Sequence, residues 1–189
     1  EISIELVRVL VANRQYDEAR DTLKPLPDSA ATLELKARIS FSGGRLPESA
    51  DQLNRAEALG SLSADGLQLK AELASENDDR KTAVATLEEL LVQFPERIEA
   101  RYQLAMVLQE LGEKQRAQKE LKAWEEQRVL ADELIQLNLK AVSDPYDADV
   151  RNQLAELCQQ LGRTRLAQMW AEAAAACRSR SEAIVETVR

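Results

Sequence analysis

With 189 residues, the chain is long enough for one ordinary domain or one stretch of repeats. Its net charge of −8 argues against nucleic acid or an anionic membrane surface as the main partner, and the absence of histidine removes imidazole-based metal sites and catalytic dyads. A composition 44% hydrophobic but only 4% aromatic, with 6 Gly and 5 Pro, predicts helices with cores of Leu, Ala and Val, and no apolar run approaches the ~20 residues that span a bilayer.

The chain opens on EISIELVRVL, already at helical spacing. It starts at Glu1 rather than Met, which is expected of a cut through a longer protein. A first unit, about 1–29, carries Val7 on one helix and Ala19 and Leu23 on the next. A second unit, 30–63, has Ala37, a turn at Gly44, then Ser49 and Leu53. The third, 64–97, has Ala71, a polar turn at Asp78–Asp79, then Ala83 and Leu87, and closes on Pro95. The fourth, 98–147, begins with Leu104, Ala105, Val107, Leu108 and Leu111 at helical spacing, turns at Gly112, and continues through Ala117 and Leu121. The fifth, 148–178, has Ala155, a turn at Gly162, then Ala167 and Ala171.

Three columns therefore recur together: Val7, Ala37, Ala71, Ala105 and Ala155; Ala19, Ser49, Ala83, Ala117 and Ala167; Leu23, Leu53, Leu87, Leu121 and Ala171. Their shared spacings are 30, 34, 34 and 50. Columns agreeing at every step mark internal repetition. Small residues stand where two helices cross closely, and a Gly after the last apolar position ends a helix in the left-handed conformation. One helix pair cannot bury its apolar face alone, so each pair must stack on the next.

The fourth unit is 16 residues too long. Between Gly112 and Pro145 there is no Gly or Pro, and Leu121, Trp124, Leu130, Leu134, Leu137 and Ala141 keep one stripe going. This predicts a single helix over 113–143; a separate inserted helix with a break near Gln127–Arg128 is the alternative. After Arg178, Ser181 is positioned to cap a short helix carrying Ile184, Val185 and Val188, which would close the array. Cys158 and Cys177 fall near opposite ends of one helix pair, beyond disulfide reach, and read as small buried hydrophobes.

At these columns, turns and prolines the chain resembles the tetratricopeptide repeat family. That family has a 34-residue helix–turn–helix unit, with a small residue in helix A, Gly at the turn, Ala early in helix B and Pro at the end. The match is strongest at 64–97, 98–125 and 148–178 and weaker at 1–29 and 30–63. The aromatic residues often seen in both helices are mostly missing. The resemblance implies an all-α, right-handed solenoid of ten or eleven helices in antiparallel pairs, running through one domain over 1–189 with 179–189 as a capping segment. It also implies that helices A line a concave groove.

Carried over residue by residue, that rule puts Ile4, Glu5, Arg8, Glu34, Leu35, Arg38 and Phe41 in the groove of the first two units. Asp65, Gln68, Leu69, Glu72 and Glu76 follow in the third. Glu99, Tyr102, Gln103, Met106, Glu110, Asp149, Asn152, Gln153 and Glu156 line the later groove. Some family members hold a chaperone's C-terminal carboxylate with Lys and Asn here; the comparable sites in this chain are mostly Glu, Gln and Asp. The expected ligand is a basic or neutral peptide or partner loop. Tyr102, Met106, Gln103, Asn152 and Gln153 would make contacts, and Glu72, Glu99, Asp149 and Glu156 would select cations.

No chemistry competes with that reading. GSLSADG and SGGR contain glycines but match no phosphate-binding loop. The pairs Glu88–Glu89 and Glu125–Glu126 point about 100° apart on a helix, so they read as solvated faces. The expected function is a non-catalytic protein–protein interaction scaffold, not an enzyme, with no cofactor and no metal. The alternatives are an oligomerisation element using the long helix, with Trp124 and Leu130 as its contacts, or the repeat region of a larger enzyme.

Overall fold

Five equivalent turn positions share one backbone twist. Gly44, Gly112 and Gly162 have φ of 72°, 78° and 73°, and Arg14 and Asp78, at the same place in their own turns, have 60° and 61°. A left-handed residue after the last helical turn reverses the chain within three or four residues, so the helices on either side come back antiparallel. The computed structural model describes the backbone of residues 2–188 and the side chains of 4–179.

Ten helices follow in order: α1 Ile2–Ala12, α2 Tyr16–Leu23, α3 Ala30–Ser42, α4 Leu46–Leu59, α5 Ala64–Glu76, α6 Arg80–Gln93, α7 Ile98–Glu110, α8 Lys114–Ser143, α9 Ala148–Gln160 and α10 Thr164–Val188. The described chain is 81% helical and contains no strand. No described helix is long and apolar enough to cross a membrane. Several helix starts are fixed by side chains that accept from first-turn amides: Ser29, with Thr32 completing a capping box, Ser63, Asp79 and Asp147.

Helices pack as α1 with α2, α3 with α4, α5 with α6, α7 with α8 and α9 with α10, and successive pairs stack. The small columns lie inside these crossings: Val7, Ala37, Ala71 and Ala105 are buried, as are Ala19, Ser49, Ala83 and Ala117. Ser49 shows why a hydroxyl is tolerated there, since its Oγ donates to the Ala37 carbonyl at 2.8 Å. Burying each Leu of the third column contributes about 2 kcal/mol. Glu34 ties α3 to the loop before α5 by accepting from the Ser63 amide at 2.9 Å and from its hydroxyl.

The long helix changes the stacking. α8 runs 30 residues without interruption. Sixteen extra residues at ~1.5 Å each carry the chain ~24 Å further before α9 begins. α9 therefore packs on the distal half of α8 and on α10, rather than side by side on α7. Two cores result: one from Leu33 to Ala117, the other from Leu134 to Ala167, with a smaller cluster around Val7 and Leu23 at the start. The columns lose burial accordingly, for Leu121 and Ala155 are half-buried and Ala171 is exposed.

Side chains along α8 match that division. In α6, Val84 and Leu91 are buried under α7. Thirty-four residues on, their equivalents Gln118 and Glu125 are polar and exposed; fifty residues on, Leu134 and Ala141 are buried. The distal half of α8 thus repeats the stacking face of α6, and the proximal half does not.

Two expectations are corrected. No separate capping helix starts at Ser181, because α10 runs on to Val188; the side chains of Ile184, Val185 and Val188 lie outside those described. Cys158 is buried, and burial pushes its thiol pKa up, but Cys177 is only half-buried; both are free thiols.

Candidate functional site

The first helices of successive pairs turn one face toward a common hollow. It includes a cavity of about 390 Å³ between α3, α5 and α7, lined by Phe41, Glu72, Glu76, Tyr102, Gln103 and Met106. Each sits on a helix that is fixed in place by a buried residue of the small column: Ala37, Ala71 or Ala105. A smaller hollow of about 220 Å³ continues toward the N-terminus, where Arg8, Leu35 and Arg38 join the lining.

Polar links brace the walls. Arg38 pairs with Glu72 across the α3–α5 boundary, and its guanidinium lies 5.7 Å from the centre of the Phe41 ring. The Gln68 amide donates to Glu72 at 3.1 Å and to Gln103 at 2.5 Å, linking α5 to α7. Tyr102 is 42% exposed and rests its ring on Trp124, with centroids 5.0 Å apart and planes tilted by 48°. Arg128 covers Trp124 at 5.2 Å from the ring centre. Several acids along this face already hold a cation: Glu72 with Arg38, Asp65 with Arg97 at 2.8 Å, and Glu110 with Arg80. Glu76 and Glu99 are exposed and form no ion pair among the described residues.

The residues expected from the sequence divide into two groups. Phe41, Glu72, Glu76, Tyr102, Gln103 and Met106 come together in the one cavity, and Glu99 stands on the first turn of α7. Asp149, Asn152, Gln153 and Glu156 do not join them. All four lie on α9, displaced along α8, and Asn152 accepts instead from Arg178 at 3.4 Å. The expectation of one later groove shared by α7 and α9 assumed side-by-side stacking, which the long α8 prevents. Within the earlier units, Leu69 is buried rather than groove-facing, whereas Glu34 is largely buried but lines the smaller hollow.

The contacts expected of the long helix are both half-buried, Leu130 against the second core and Trp124 between Tyr102 and Arg128. What the distal helix does expose is Ile135, Leu139 and Val142, each more than half accessible. Their i, i+4, i+7 spacing was available in the sequence; the stripe through Leu134 and Leu137 concealed it.

No family model matches the sequence, and no curated protein does. Solved structures match nearly the whole of this chain. Against MamA the identity is 14%, covering 96% of this chain and 92% of that chain, with a TM-score of 0.54. Against PilF of Pseudomonas aeruginosa it is 15%, covering 93% and 75%, with a TM-score of 0.58. Both are proteins of the tetratricopeptide-repeat type. The chain has the tetratricopeptide-repeat fold. At such low identity the likeness is one of architecture, and it agrees with the right-handed solenoid of helix pairs.

Proposed function

We propose that this tetratricopeptide-repeat solenoid is a protein–protein interaction scaffold that holds an extended peptide or partner loop between α3, α5 and α7. The observation that carries the proposal is the cavity itself, whose apolar contacts Phe41, Tyr102 and Met106 are flanked by Gln103 and Glu76. An extended segment gains by burying an apolar side chain against Tyr102 and Met106 and by hydrogen-bonding the Gln103 amide. Arg38 already neutralises Glu72, so recognition of a cation falls to Glu76 and Glu99. The partner is then neutral or mildly basic, and its binding weakens as salt rises toward a Debye length of ~10 Å at 0.1 M.

Replacing Tyr102 and Met106 with Ala is expected to weaken capture of the partner by about 30-fold, the scale of losing a hot-spot contact. A pull-down measures this, with a thermal melt of each protein as the folding control. Unchanged capture by a folded double variant rejects the groove. A second reading, self-association through α8, rests on exposed Ile135, Leu139 and Val142. Sedimentation decides it: a monomer at all accessible concentrations removes it, and a dimer abolished by Leu139→Lys supports it.

A further inference from the structure

The displacement of the last helix pair builds a second feature, away from the groove. In a regular stack, the turn inside one pair lies beside the turn inside the next. Here the α9–α10 turn reaches the α6–α7 loop instead. The approach is close: a Cβ on Gly162 would sit 2.9 Å from Cγ of Pro95. A cleft of about 500 Å³ opens there, lined by Glu96, Arg97, Arg163, Thr164, Arg165 and Leu166 together with Gly162.

Its charge is unlike the rest of the chain, which has 33 acidic and 25 basic residues. Most arginines elsewhere hold a carboxylate, as Arg38, Arg80, Arg101 and Arg116 do. Arg97 at the cleft holds Asp65. Arg163 and Arg165 form no ion pair among the described residues, although carboxylates outnumber cations, and both line the same cleft. Two helices also begin at its edge, α7 after Arg97 and α10 after Arg163, and α7 has no side-chain cap. First-turn amides lack the i−4 acceptor of a helix interior, although that of Ala100 reaches the Arg97 carbonyl at 3.0 Å, and the helix starts add to the positive field that the arginines establish.

We propose that this cleft is an anion-binding site, taking a carboxylate or phosphoryl group carried on an acidic segment of a partner protein. Arginine's planar fork suits either oxyanion, because two parallel N–H donors meet two oxygens. The cleft is open rather than enclosed, so it admits a side chain presented from outside. Leu166, 40% exposed, offers apolar contact for the stem of that side chain. Glu96 shares the lining and forms no ion pair among the described residues, so its negative charge lowers the attraction of the cleft for an anion. The site is independent of the concave groove and prefers the opposite charge.

The test is an amide NMR titration of the whole chain with four probes: a phosphoserine peptide, the same peptide with Glu or with Ser at that position, and inorganic phosphate. The amides of 163–166 are expected to shift with the two anionic peptides and not with the serine peptide. Arg163→Ala/Arg165→Ala should weaken both anionic peptides at least about tenfold. Glu96→Gln should tighten them, and Tyr102→Ala/Met106→Ala should leave them unchanged, which separates failure here from failure of the groove. If the double alanine variant melts early, Arg163→Lys/Arg165→Lys replaces it; binding still falls, because lysine keeps the charge but lacks the fork. No shift of those amides at about 5 mM peptide, a concentration that reveals even millimolar affinity, overturns the proposal. So does unchanged affinity in the arginine variants. Inorganic phosphate binding as tightly as either peptide overturns the assignment to a partner segment.

Discussion

Arg14 and Gly162 occupy the same turn position with nearly the same φ, 60° and 73°, yet their side chains make opposite demands. An L-residue with a Cβ is strained in this region by about 1–2 kcal/mol, and glycine is not. Arg14→Gly is therefore expected to raise the melting temperature, by up to about 2–4 °C for a net gain near 1 kcal/mol. Gly162→Ala should lower it by more than that, because the new methyl adds a 2.9 Å approach to Pro95 to the backbone strain. Equal effects from the two changes would show that the Pro95 contact contributes nothing. Asp147, which starts α9, gives a pH signature. The Val150 amide, followed by the Asp149 amide, donates to its carboxylate and holds its pKa below the ordinary 3.8. Its contribution is present above that value and is lost as pH falls through the lowered one. Melts of Asp147→Ala should lie below the parent at neutral pH, and the gap should close on acidification below about pH 3.8. A gap independent of pH would mean that the charge plays no part in the cap.

α8 decides more than any other element. Its proximal half pairs with α7, using Ala117 and Leu121, and its distal half carries α9 and α10, using Leu134 and Ala141. Between them lies a short stretch where Trp124 meets Tyr102, and Arg101 donates to Gln127 at 2.9 Å and to Glu120 at 2.7 Å. The two cores thus communicate mainly through one unbroken helix. Gln127→Pro removes a helical hydrogen bond and clashes with the preceding turn, costing about 3 kcal/mol or more. It also ends the bond from Arg101. Amide exchange should show continuous protection across Gln127 in the parent chain and a fast-exchanging gap in the variant.

At the scale of the molecule, the question is whether two cores behave as one folding unit. Trp124 reports on the junction and Trp170 on the last core, so Trp170→Phe and Trp124→Phe variants read each separately. Stacked repeats are stabilised by their intrinsic terms plus nearest-neighbour interfaces, and a rigid α8 supplies the interface here. The urea midpoints of the two reporters should coincide in the parent background and separate when Gln127→Pro is added. Separate midpoints already in the parent would mean that α8 joins the cores without coupling them.

The repeat, the antiparallel pairs, the turn positions and the length of α8 were all legible in the residues, because helical spacing, small columns and turn chemistry act over short stretches of chain. Phe41, Glu72, Tyr102, Gln103 and Met106 were assigned to a groove by the family resemblance, which supplies the rule that the first helices of successive pairs share a face. Where α9 would dock was not read from the repeat columns, although the switch from Val84 and Leu91 to Gln118 and Glu125, then to Leu134 and Ala141, carries the signal. Packing in three dimensions decides how the next pair seats on that distal half and what its turn then meets. That choice separates Asp149, Asn152, Gln153 and Glu156 from the groove by ~24 Å of added helix and sets Gly162 against Pro95. It also brings Arg97 beside Arg163 and Arg165, which stand 66 and 68 residues away in the chain. No local pattern encodes such a meeting, because it depends on where two separately legible elements come to rest against each other.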